Sequence, residues 1–231
     1  MSNQRSRRTT LKQLAALGVL GPAGISGFIS EALAKGDAPA ASGIHSLTGS
    51  ATINGQDAKV GSAVKPGDKI ATGKGSLAVV VVGKDAYLLR DNTHVVFEQS
   101  VAKPGVLEGV LISTGKLLSV FAKRTDGIVK VRAANATIGI RGTGCYLEVQ
   151  DTRTYFCLCY GEAAIDGAGM TQSKIIKATH HESPVWLDDR GGVMKVESAG
   201  FVNHNDSELI MLEKLCGREP PFVALGLTGR Y

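Results

Sequence analysis

Ala136-Thr-Ile-Gly-Ile-Arg-Gly-Thr-Gly-Cys-Tyr-Leu-Glu-Val149, then Gln150-Asp-Thr-Arg153, then Thr154-Tyr-Phe-Cys-Leu-Cys-Tyr-Gly161 is the stretch that decides the fold. Two runs rich in β-branched and aromatic residues flank a polar break, which predicts a β-hairpin. Three of the four cysteines lie on it: Cys145, Cys157 and Cys159. Cys157 and Cys159 are two residues apart, so on a strand they share a face. Cys145, Leu147 and Val149 share a face of the other strand. One register brings Cys145 over to Cys157 or Cys159. Another, with Phe156 and Leu158 in the core, turns Cys157 and Cys159 outward and separates them from Cys145.

Working outward, short apolar runs alternate with turn residues. Ser50 to Ile53 breaks at Asn54-Gly55, a pair suited to the positive φ of a tight hairpin. Lys65-Pro66-Gly67-Asp68 has Pro and Gly where a type II turn needs them. Leu77 to Val82 is almost wholly apolar and is expected to be buried on both faces. Tyr87 to Leu89, Val95 to Phe97, Leu107 to Ile112, Leu117 to Ala122 and Ile128 to Val131 continue the series. Gly139 to Gly144 is glycine-rich, but no Lys-Ser/Thr pair or helical pattern follows, so it predicts a turn or bulge and not a phosphate cradle. No long helical period appears before residue 200. With 29 glycines and few aromatics, this predicts an all-β fold of many short strands, either a β-sandwich or a short β-solenoid.

The order of these motifs carries a family resemblance. Gly67-Asp68, Ile70 to Gly73, Ser76 with its apolar strand, Leu88 to Arg90, Asn92-Thr93, Gly109 to Ile112, Gly115 to Phe121 and Ala136 to Gly144 together resemble a FecR-type domain, an all-β periplasmic module. The resemblance covers residues 65 to 165 and implies a domain over 50–165. FecR proteins that relay siderophore signals carry a cytoplasmic anti-sigma segment and a membrane span ahead of this domain. Here an export signal stands in that place, so the sigma-regulator role is not carried over.

That signal occupies residues 1–34. Ser6-Arg7-Arg8-Thr9-Thr10-Leu11-Lys12 resembles a twin-arginine motif, with Thr10 at a position usually held by Phe. A moderately apolar stretch, Leu14 to Ile29, is short for a bilayer span and interrupted by glycines and Pro22. Ala32-Leu33-Ala34 offers a cleavage site. The expected localisation is periplasmic, with no membrane span in the mature chain. Residues 35–49 read as a leader. The signal also holds +3 of the formal +5 charge. The remaining basic residues are scattered without aromatic interleaving, which argues against a nucleic-acid partner.

Residues 166–231 read as a β-rich extension with strands at Lys174 to Ala178, Val185 to Leu187 and Val193 to Val196. One helix is expected near 206–216. Asn205 or Asp206 can cap it, with Glu208 as capping-box partner, Leu209, Leu212 and Leu215 as its apolar stripe and Gly217 as its stop.

Chemistry is expected at the cysteines and histidines. Cys145, Cys157, Cys159, His180 and His181 form a candidate ligand set for one transition-metal ion (zinc, iron or copper), with Glu182 and Cys216 as weaker candidates. Disulfides are a second fate, although Cys157 and Cys159 are about 6.6 Å apart along a straight strand, near the limit for a bridge. Buried free thiols are the third. An adjacent histidine pair is more often a surface feature than a ligand. The absence of G-x-S-x-G, H-E-x-x-H and P-loop motifs argues against an enzyme, and no sequence neighbour visibly lowers a cysteine pKa. The chain is therefore expected to be a non-catalytic periplasmic binding or sensing module acting with an envelope protein partner. A disulfide-braced scaffold is the alternative, and a thiol redox enzyme the third reading.

Overall fold

The computed structural model describes residues 24–34, 38–125 and 127–229. The twin-arginine motif, most of the apolar stretch after it and residues 35–37 lie outside them. In chain order the elements are helix α1 (Gly24–Ala34), then β1 (Gly43–Thr48), β2 (Ala51–Ile53), β3 (Gln56–Asp57), β4 (Lys69–Thr72), β5 (Leu77–Val82), β6 (Asp85–Leu89) and β7 (His94–Gln99). Next come β8 (Leu107–Val120), β9 (Val129–Arg132), β10 (Ala136–Ile140), β11 (Gly144–Val149), β12 (Arg153–Gly167), β13 (Lys174–Ala178), β14 (Val185–Asp188) and β15 (Lys195–Ser198). Helices α2 (Asp206–Leu215) and α3 (Pro221–Ala224) close the chain. Among the described residues, strands hold 44% and helices 12%, which makes the fold all-β as expected.

Two sheets pack face to face and share two long strands. The first runs β1-β5-β6-β8-β11-β12-β14-β15. The second runs β3-β2-β4-β7-β8-β9-β10-β12-β13. Since β8 and β12 cross from one sheet to the other, β8-β9-β10-β12-β11 closes into a five-stranded barrel. The arrangement is a sandwich with a closed corner, not a solenoid.

The crossings correct the expected strand boundaries. Leu107 to Ile112 and Leu117 to Ala122 were expected as separate strands. They form one strand, bent at Gly115, whose φ is 93°. A Cβ there would lie 2.4 Å from the Thr93 Cα, so the bend needs glycine. Gly161, at φ 98°, does the same for β12, which runs on to Gly167 instead of stopping at Tyr160-Gly161. Gly and turn residues mark both strand ends and strand corners, and the sequence pattern alone does not separate the two.

Elsewhere the local chemistry gives the expected result. Asn54 and Gly55 both have positive φ between β2 and β3. Gly67 has φ 99°, and Asp68 N–H donates to Lys65 O across the type II turn. Strand β5 is buried on both faces: Val80 and Val82 enter the inter-sheet core, and Val79 and Val81 enter an outer one. The outer core lies between the far face of the first sheet and the helices, with Leu209, Met211, Leu212, Leu215 and Phe222 as its lid. Helix α1 adds Phe28 and Ala32. The capping box of α2 forms as expected: Asn205 accepts from Glu208 N–H, and the Glu208 carboxylate accepts from Asn205 N–H.

Candidate metal centre

The β11–β12 hairpin resolves the register question. Cys145 pairs with Leu158, Tyr146 with Cys157 and Leu147 with Phe156. Opposed residues share a face, so Cys145 joins Leu147, Phe156 and Leu158 in the inter-sheet core, and Cys157 turns to the outer core. A bulge then inserts Cys159 between the Leu158 and Tyr160 pairings. It leaves Cys157, Cys159 and Tyr160 all in the outer core. Cys145 is thus separated from the other two thiols by the sheet itself. The four cysteines are free thiols, and all are buried.

Two imidazoles approach the Cys157–Cys159 pair from different parts of the chain. His181 sits in the turn after β13 with φ 59°. Its N–H donates to the Cys159 carbonyl at 3.0 Å, which holds the turn against β12. The Glu182 carboxylate accepts from Thr179 N–H and His180 N–H and shapes the same turn, so it serves as a clamp and not as a ligand. His204 precedes the N-cap of α2 and stacks on the Tyr146 ring, with centroids 4.5 Å apart. Asn203 beside it has φ 59° and donates to the Glu148 carboxylate. His180 and His181 were both candidate ligands, although adjacent histidines are more often surface or strand-end features. Both His180 and His181 are buried, because the loop folds under the lid helices.

One donor atom from each of Cys157, Cys159, His181 and His204 lies within 4.8 Å of all the others. A tetrahedral ion with metal–sulfur bonds of about 2.3 Å and metal–nitrogen bonds of about 2.05 Å sets N···N edges of about 3.4 Å and N···S edges of about 3.6 Å. Here His181 Nδ1 is 3.1 Å from His204 Nε2, Cys157 Sγ is 3.6 Å from His181 Nδ1, and Cys159 Sγ is 3.4 Å from His204 Nε2. Cys2His2 is a common ligand set for a closed tetrahedral site.

The outer contacts turn the right nitrogens inward. His204 Nδ1 donates to the Val202 carbonyl at 2.7 Å, which leaves Nε2 facing the thiols. His181 Nε2 lies 3.4 Å from Asp206 Oδ1, which leaves Nδ1 facing them. A carbonyl or carboxylate on the distal nitrogen is the usual support of a metal-ligating imidazole. His180 Nε2 is bonded to the same Asp206 oxygen at 2.7 Å, so His180, although close to His181 and Asp206, reaches the thiols only through that carboxylate.

The cluster favours a thiolate. Cys157 is pulled down to about 4, first by the hydrogen bond from the Cys159 thiol, against burial, and further by His181 and His204. Cys159 is pushed up by burial and by the adjacent Cys157. The two imidazoles reach Cys157 only in the fold, and no lowered cysteine pKa was expected from the sequence. Cys145 is raised by burial, and Cys216, at the end of α2, is pushed up to about 12 mainly by burial. Neither is part of the cluster. His204 and Asp206 are the members that sequence reasoning missed. The signal available was His204 directly ahead of a capped helix, with the lid helix bound to return over the sheet.

No family model matches the chain, and no curated protein matches it. Among solved structures, two crystal structures of a candidate anti-sigma factor from Parabacteroides distasonis ATCC 8503, at 2.50 and 1.65 Å resolution, overlay on it at a TM-score of 0.45 and 13% identity. They cover 64% of this chain, and 73% and 74% of their own. The overlap is partial, and the reading of the site stands on its own geometry.

Proposed function

We propose that the protein is a non-catalytic, exported binding or sensing module of the cell envelope that holds one zinc-type ion through Cys157, Cys159, His181 and His204. The observation that carries this reading is the match of the three short donor separations to tetrahedral edges, with His204 oriented by its hydrogen bond to the Val202 carbonyl and the far nitrogen of His181 3.4 Å from the Asp206 carboxylate. Four protein ligands fill a tetrahedral shell and leave no position for substrate, which favours a structural or sensing ion over a catalytic one. Thiolate ligands favour zinc over the hard cations. The buried Cys157 and Cys159 also weigh against a thiol redox enzyme, whose nucleophile needs access. Export by a twin-arginine-type signal and action through an envelope protein partner complete the proposal.

The test is elemental analysis of protein purified from an exporting host, with a thiol count after denaturation. About one zinc-type ion per chain and four free thiols supports the reading. Cys157→Ser with Cys159→Ser should remove the ion and lower stability together, because binding free energy is folding free energy. A wild-type protein that carries no metal and takes up none when supplied with zinc or copper(I) would end the metal assignment, and the cluster would then be a buried hydrogen-bond network.

A further inference from the structure

The four candidate ligands divide between two parts of the molecule. Cys157 and Cys159 belong to β12, which pairs with β11 along this stretch, and His181 is bonded to its backbone. His204 belongs to the segment 200–229, which carries the lid helices. None of its described residues lies in a strand, so it has no backbone ladder to either sheet. It holds on through apolar packing, one backbone bond from Ala40 N–H to the Leu215 carbonyl at 2.8 Å, and side-chain bonds such as Arg90 to Glu208 and Tyr160 to Glu213. Asp206 extends the connection: one carboxylate oxygen bonds His180 Nε2 at 2.7 Å and lies 3.4 Å from His181 Nε2, and the other accepts from Gly229 N–H at 2.8 Å. The metal centre, its supporting carboxylate and the tail therefore form one line from the sheet to the last described residues.

From this we infer that the ion is a latch. Its occupancy decides whether the segment 200–229 is fastened over the outer face of the first sheet, and metal loss frees that segment while the inter-sheet core stays folded. The inference rests on the metal reading above and assigns a regulatory role to the same site. Without the ion, the coordination that ties His204 to His181 and the two thiols is reduced to hydrogen bonds at 3.1 Å and 3.4 Å, and the partner with no backbone ladder, His204, is the one freest to leave. Residues under the lid, among them Val79, Val81, Leu88, Leu118 and Tyr146, then become exposed as an apolar surface.

Amide hydrogen exchange on the full chain tests this, first metal-loaded and then after removal of metal by a strong chelator. The expected result is exchange roughly tenfold or more faster in peptides from 200–229, with β5, β6 and β8 keeping their protection. Unchanged protection of 200–229 after verified metal loss overturns the latch and leaves the metal reading intact. Equal loss of protection in every element also overturns it, since the ion would then brace the whole fold. Failure to bind metal at all refutes the earlier reading instead, so the two failures are distinct. His204→Ala supplies a second arm. With three ligands left on the body, it is expected to retain metal more weakly yet show a loosened lid even when metal is supplied, and His204→Cys should restore protection. A His204→Ala protein whose lid is as protected as the wild type overturns the inference.

Discussion

Nδ1 of His181 and Nε2 of His204 lie 3.1 Å apart in the outer core, and the far nitrogen of each ring already faces an acceptor. Two inward-facing lone pairs at that distance, away from water, repel unless something positive lies between them. A proton or a metal ion meets the requirement, and the thiolate character of Cys157 beside them fits the metal.

Asp206→Asn probes the outer support. The four proposed ligands remain, but the carboxylate that orients His181 and His180 becomes a neutral amide. Metal affinity, measured by competition with a chromophoric chelator, is expected to fall about 10- to 100-fold without loss of the all-β circular dichroism spectrum. Unaltered affinity would mean that the Asp206 contact contributes only to the loop.

Cys145→Ala separates the two cores. Cys145 packs in the inter-sheet core, so the variant should keep its metal content while losing about 1 to 2 kcal/mol in denaturant unfolding. A metal content that drops with this substitution would show that the sheet does not isolate Cys145 from the centre.

Gly115→Ala tests the strand corner. The added Cβ would enter the Thr93 backbone at 2.4 Å, in a residue held at positive φ. A loss of about 2 to 4 kcal/mol with an unchanged denaturant slope is expected. The same change at Gly83, which has positive φ but open space around its Cβ, should cost less, about 1 kcal/mol.

Arg124→Met examines the buried Asp85. Burial raises the Asp85 carboxyl above its ordinary value, and the Arg124 guanidinium partly offsets this. Without Arg124 the folded-state pKa rises further. A group whose folded pKa is raised contributes stability below its unfolded pKa and loses it as pH climbs through the folded value. The deficit of the variant against wild type should therefore be about 3 kcal/mol at pH 7.5 and shrink as pH falls toward 4, read from urea unfolding at each pH. A deficit that grows on acidification would contradict the assignment.

Much of the fold is legible in local chemistry. The Asn54-Gly55 turn, the Pro66-Gly67 turn, the Asn205 capping box and the doubly buried Leu77 to Val82 run each depend on a few neighbouring residues, whose φ preferences and apolar pattern act alone. The outward position of Cys157 and Cys159 was also readable as one of two registers, because Phe156 and Leu158 compete for the same core. What remained open depends on contacts distant in the chain. Gly115 and Gly161 look like strand ends until the second sheet exists to receive the continuing strand. His204 stands 45 residues from Cys159 and meets it only because α2 folds back over the sheet. Composition and periodicity thus determined an all-β chain with a short C-terminal helix, since those follow from local preferences. The choice of ligands was left to the tertiary structure, because sheet register and the return of the lid decide which side chains share one buried space.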